Sequence, residues 1–99
     1  IYISDFVKIL IELSFTQSNT LINVGAGEEH SIKEFAEAIC DIVPYDASKI
    51  EYDTSKYVGA KAKFLNIEKL HSCLGKFPFT SLHTGLKDTI EWFRSTLKN

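Results

Sequence analysis

The segment Leu21-Ile22-Asn23-Val24-Gly25-Ala26-Gly27-Glu28-Glu29-His30-Ser31-Ile32-Lys33-Glu34 sets the architecture to expect from this sequence. Leu21–Val24 is a short apolar run with branched residues, closed by Gly25 and Gly27. That pattern predicts a strand. Ser31 and Glu34 spell a capping box, in which hydroxyl and carboxylate satisfy backbone donors that the first helical turn leaves unpaired. Ile32, Phe35, Ala36, Ile39 and Val43 then recur along one helical face, and Pro44 stops the helix. A strand, a glycine loop and a helix together point to an α/β fold.

Working outward, Ser4 reads as the cap of a first helix with Phe6, Ile9, Leu10 and Leu13 on its buried face. Ile50–Asp53 predicts a second strand, residues 54–63 a loop, and Phe64-Leu65 a short third strand. Asn66 reads as the cap of a short helix carrying Ile67, Leu70 and Leu74, closed by Gly75. Ser81 caps a last helix whose stripe is Leu82, Leu86, Ile90, Phe93 and Leu97. The expected architecture is a small α/β domain of about four helices and two or three short strands.

The chain has 99 residues, 44% of them hydrophobic, and a net charge of −2. This composition excludes disordered, collagen-like and coiled-coil classes. The chain opens on Ile1 and contains no Met, so a fragment or a processed chain is expected. No apolar run nears the roughly 18 residues of a membrane span, and no signal-peptide pattern occurs. Residues 1–48 carry −6 and residues 49–99 carry +4. That cationic excess is too dilute for a nucleic-acid domain. Cys40 and Cys73 lack a CxxC neighbour and read as reduced thiols of a cytoplasmic protein.

Three patterns imitate catalytic chemistry. Gly25-Ala26-Gly27 resembles the opening of a dinucleotide fingerprint, which needs a third small residue where His30 stands. Glu28 and Glu29 would also repel a pyrophosphate. Tyr-x-x-x-Lys occurs as Tyr45/Lys49, Tyr52/Lys56 and Tyr57/Lys61, always after Pro44 and away from the helix that such chemistry needs. His30, His71 and His83 have no metal-ligand spacing. No metal or cofactor site is assigned to this chain.

The remaining constellation is Asp53-Thr54-Ser55-Lys56-x-x-Gly59-x-Lys61-x-Lys63. Lysines give point charges for phosphate oxygens, and hydroxyls and backbone N–H groups add donors. Gly59 would let backbone approach a ligand closely. The segment reads either as a diphosphate clamp or as a solvated surface loop.

Several blocks, in order, resemble one known domain. They are Ile1-Tyr2-Ile3-Ser4-Asp5, Asn23-Val24-Gly25-Ala26-Gly27-Glu28-Glu29, Ser31-Ile32-Lys33-Glu34, the Asp53–Lys63 block and Glu91-Trp92-Phe93. Together they resemble the C-terminal, substrate-binding lobe of extended short-chain dehydrogenases/reductases, the NAD-dependent epimerase/dehydratase family, that act on nucleotide sugars. The Asp53-Thr54-Ser55-Lys56 segment is most similar to the GDP-L-fucose synthase group. The resemblance covers essentially all of residues 1–99, as one substrate-binding lobe. It implies a parent enzyme, a homodimer, whose N-terminal Rossmann domain binds NADP(H) and holds the catalytic groups. No catalytic or cofactor-binding residue therefore falls in this chain, and the lobe alone has no turnover. The resemblance places the lysine that contacts the GDP-sugar on Lys63, with Lys56 and Lys61 as further candidates. This sequence departs from the family pattern at Tyr57-Val58, Ala60-Lys61-Ala62 and Asn66. The alternatives are a lobe of another nucleotide-sugar epimerase or 4,6-dehydratase, or a non-catalytic interaction module.

Overall fold

The computed structural model describes residues 1–97. It contains four α-helices: α1 (Ile3–Thr16), α2 (Ile32–Ile42), α3 (Glu68–Leu74) and α4 (Leu82–Thr96), with a single 3-10 turn at Ala47–Lys49. The chain divides into two compact units. One joins Ile1–Glu29 to Lys63–Thr80, and the other joins His30–Ala62 to the segment from Ser81 onward.

The first unit is built on Ile9, Ile67 and Leu70, with Leu13, Ile22, Val24, Leu74, Phe77 and Phe79 packed around them. Ile9 and Leu70 are fully enclosed, and each such side chain contributes about 1.5–3 kcal/mol. The first helix starts two residues earlier than the Ser4 cap implies. Its N-cap is Tyr2, which makes no side-chain capping bond. Leu10, expected on the buried face, is 53% exposed. Asn66 does perform its expected task, since its Oδ1 accepts from the Glu68 N–H at 2.9 Å at the head of α3. Gly75 closes that helix at φ +69°, a left-handed value that suits glycine.

The expected α/β class is incorrect: among the described residues there is no strand, and the fold is helical. The period-2 pattern of the first run is visible, with Ile22 and Val24 half-buried and Leu21 exposed. What is missing is a partner. A strand is defined by its backbone ladder, and 21–24 makes side-chain bonds instead. Lys69 Nζ donates to the Leu21 carbonyl at 2.8 Å, and Asn23 Nδ2 donates to the Asn66 carbonyl at 3.4 Å. Residues 50–53 and 64–65 likewise form no ladder. The Ile50 N–H instead closes the 3-10 turn on the Ala47 carbonyl.

In the second unit α2 packs against α4. The capping box forms as read: Glu34 N–H donates to Ser31 Oγ at 3.0 Å, and Ser31 N–H donates to the Glu34 carboxylate at 2.5 Å. Pro44 lies just past the Val43 C-cap. Ser81 caps α4 by accepting from the Thr84 N–H at 3.2 Å. Cys40 and Gly85 are buried. The outer ends of both apolar stripes are open, with Ile32, Phe93 and Leu97 exposed.

Candidate functional site

Residues 51–66 are exposed throughout. One carboxylate organises the start of this stretch. Asp53 Oδ1 accepts from the Ser55 N–H at 3.0 Å and from the Ser55 hydroxyl at 2.5 Å. Asp followed two residues later by a donor is the sequence form of an Asx turn. Lys56 Nζ stands 3.8 Å from Asp53 Oδ2. The Ser55 hydroxyl, then the Ser55 N–H, and lastly Lys56 hold the Asp53 carboxyl below its ordinary range. Asp53 thus stays ionised and partly neutralises Lys56.

The three candidate lysines are not equivalent. Lys56 and Lys61 lie in the second unit, and Lys63 opens the second segment of the first. Lys61 and Lys63 have no ion-pair partner among the described residues. Gly59 has open space where a side chain would stand. In this conformation its backbone is open to a ligand rather than packed by the fold.

The glycines of the Gly25-Ala26-Gly27 loop have a packing role. A Cβ on Gly25 would stand 3.2 Å from Leu65 Cδ1, and one on Gly27 would stand 2.6 Å from Ile67 Cδ1. Gly27 also has φ +73°, where a side chain is strained. Of the three Tyr-x-x-x-Lys pairs, none lies on an α-helix; Lys49 ends the 3-10 turn. His30 meets Phe35 edge-on, with centroids 6.0 Å apart. His71 Nδ1 is 3.4 Å from the Gly75 carbonyl. No group of three or more metal-ligating side chains occurs among the described residues. Both cysteines are free thiols, Cys40 buried and Cys73 half-buried. No helix is long and apolar enough to cross a membrane among those residues.

The buried polar group that sequence reasoning missed is Asp5. It is 4% exposed and receives Thr80 in the first unit. Its position in the first turn of α1 suits a carboxylate at a helix N-terminus. No sequence signal names a partner so far along the chain.

No family model matches the chain, and no solved structure matches it. Curated proteins do match. The chain is 39% identical, over 73% of its length, to GDP-L-fucose synthase of Escherichia coli (strain K12). It is 42% identical over the same share to putative GDP-L-fucose synthase 2 of Arabidopsis thaliana. It is 32% identical, over 99% of its length, to UDP-glucuronic acid decarboxylase 1 of Danio rerio. These matches cover 22%, 21% and 23% of the three relatives, so the chain spans about a fifth of their length.

Proposed function

We propose a role for this chain from its kinship: it is homologous to nucleotide-sugar enzymes of the extended short-chain dehydrogenase/reductase family, and its part in such an enzyme is to hold a GDP-sugar. The parent is an NADP-dependent GDP-4-keto-6-deoxymannose 3,5-epimerase/4-reductase, of GDP-L-fucose synthase type. It is a cytoplasmic homodimer whose Rossmann domain carries the nicotinamide cofactor, which supplies hydride for the C4 ketone. No catalytic residue is assigned to this chain, and the lobe alone is inactive.

The observation that carries the reading is the lysine loop. It is fully exposed, it starts from an Asx turn, and Lys61 and Lys63 are without an ion-pair partner among the described residues. A diphosphate needs such charges, because phosphate oxygens bind point cations and backbone donors. Lys63 is the first candidate to contact the nucleotide sugar, with Lys56 the next and Lys61 a third. Fixing the diphosphate also fixes the sugar against the reacting groups, and positioning of this kind supplies several kcal/mol of catalysis.

One observation favours a second reading. The decarboxylase named for UDP-glucuronic acid matches nearly the whole chain. A sister enzyme acting on a UDP-sugar would use the same lysines on the same diphosphate and differ at the base. Calorimetry on the full-length parent separates the readings. GDP is expected to bind, UDP to bind at least ten-fold more weakly, and Lys63→Ala to weaken GDP by about ten-fold. Preference for UDP selects the sister enzyme. Binding of neither nucleotide leaves the loop as plain surface of an interaction module.

A further inference from the structure

The lysines of the 54–63 loop answer the charge of a diphosphate and leave the base unread. An ammonium group meets phosphate oxygens whatever nucleoside they carry, so a choice between bases needs a different side chain. Tyr57 is the one the loop offers. It follows Lys56 directly, Lys61 comes four residues later, and all three belong to the same unit. Tyr57 is 95% exposed, against 53% for Tyr45 and 44% for Tyr52 in that unit. It makes no ring contact among the described residues, so the fold engages neither of its faces. Tyr57-Val58 is also a place where this sequence departs from the pattern that its other blocks follow.

A single exposed aromatic side chain is ordinary on a protein surface. The setting of Tyr57 is what points to a ligand. Open rings set among cations hold nucleotides in a recurring way, with the cations on phosphates and the rings stacked on bases. The reach also fits. Neighbouring Cα atoms stand about 3.8 Å apart, and two long side chains from adjacent positions can span the ribose that separates phosphate from base. Stacking grows with the ring area brought into contact, so a two-ring purine gains more than a one-ring pyrimidine. We propose that Tyr57 is the residue that selects the base, its ring stacking on the guanine of the bound GDP-sugar while Lys56 and Lys61 face the diphosphate. This rests on the GDP-sugar reading above and deepens it by naming the residue that favours a purine.

Calorimetry on the full-length parent with GDP and with UDP tests it. A side chain this open packs against nothing, so Tyr57→Ala is expected to melt at the wild-type temperature. It should bind GDP about ten-fold more weakly, in the range of one lost base stack. UDP should weaken by less than about three-fold, so the ratio of the two affinities narrows. Tyr57→Phe keeps the ring and should bind GDP within about two-fold of wild type. GDP binding by Tyr57→Ala within about two-fold of wild type overturns the proposal. So does an equal loss for GDP and UDP, because the tyrosine then shapes the loop and does not read the base. Lys63→Ala separates the two failures. If it weakens GDP while Tyr57→Ala does not, the base contact falls and the diphosphate clamp stands. Binding of neither nucleotide, or preference for UDP, removes the GDP reading and this contact with it.

Discussion

Asp5 accepts two hydrogen bonds from Thr80, one from the backbone N–H to Oδ2 at 2.7 Å and one from the hydroxyl to Oδ1 at 3.0 Å, across 75 residues of chain. The carboxylate is 4% exposed, so removing it leaves the Thr80 donors without a partner in a largely dry place. Asp5→Ala is expected to cost about 2–3 kcal/mol, as loss of a buried charged hydrogen-bond acceptor does. Thr80→Val removes only the hydroxyl and is expected to cost about 1 kcal/mol. Urea midpoints of the two variants and of the double variant check this. The double variant should cost less than the sum, because both changes remove the same bond.

The glycines divide into two kinds, and alanine substitution tells them apart. Gly27 sits at φ +73° with Ile67 Cδ1 only 2.6 Å from the position of an added Cβ. Gly27→Ala is expected to cost about 1–2 kcal/mol from the left-handed backbone alone. Shortening the neighbour with Ile67→Val should recover only the steric part. Gly59 has nothing within 4 Å of its added Cβ and no positive φ. Gly59→Ala is therefore expected to be neutral or to stabilise by up to about 1 kcal/mol, by restricting the unfolded chain. Thermal melts of the three variants decide the matter.

These two cases show which features the sequence made legible. Caps were readable at Ser31 and Ser81 because side chain and backbone donor are three residues apart. Gly75 was readable as a helix stop because glycine readily takes the positive φ found there. The Tyr2 start of α1 was not, since it makes no side-chain bond that a sequence could advertise. Leu21–Val24 has the alternation of a strand, but a strand needs a neighbour, and periodicity says nothing of one. Asp5 and Thr80 are invisible for a similar reason, being a contact set by tertiary packing. The lysine loop was legible as a composition. Its division between Lys56, paired with Asp53, and Lys61 and Lys63, which have no ion-pair partner among the described residues, was not.

The capping box makes α2 sensitive to acid. The Ser31 N–H, and after it the Ser31 hydroxyl, hold the Glu34 carboxyl below its ordinary value of 4.5. A depressed folded value means that the unfolded chain binds the proton more readily. The contribution of Glu34 is therefore complete above pH 4.5 and is lost as pH falls through the lower folded value. Far-ultraviolet circular dichroism between pH 7 and pH 2 should show helicity falling in that acid window. Glu34→Gln should flatten the part of the loss due to α2, because a neutral amide keeps an acceptor but no longer titrates.

The loop chemistry gives the last expectation. Asp53 Oδ2 stands 3.8 Å from Lys56 Nζ, so the same carboxylate that builds the turn opposes the approach of a diphosphate. Asp53→Asn keeps an Oδ1 acceptor for the Ser55 N–H and hydroxyl and removes the negative charge. The turn should survive, Lys56 should be released, and one repulsion with the ligand should vanish. An exposed charge pair is weak, so GDP affinity of the full-length parent should rise only by about two- to five-fold. The gain should shrink at high salt, where such charges are screened. Asp53→Ala removes the acceptor as well, so its gain should be smaller or absent because the loop must then be ordered on binding. Calorimetry at low and at high salt compares the two variants. Equal affinities for wild type and Asp53→Asn at low salt would show that the ligand does not reach this loop.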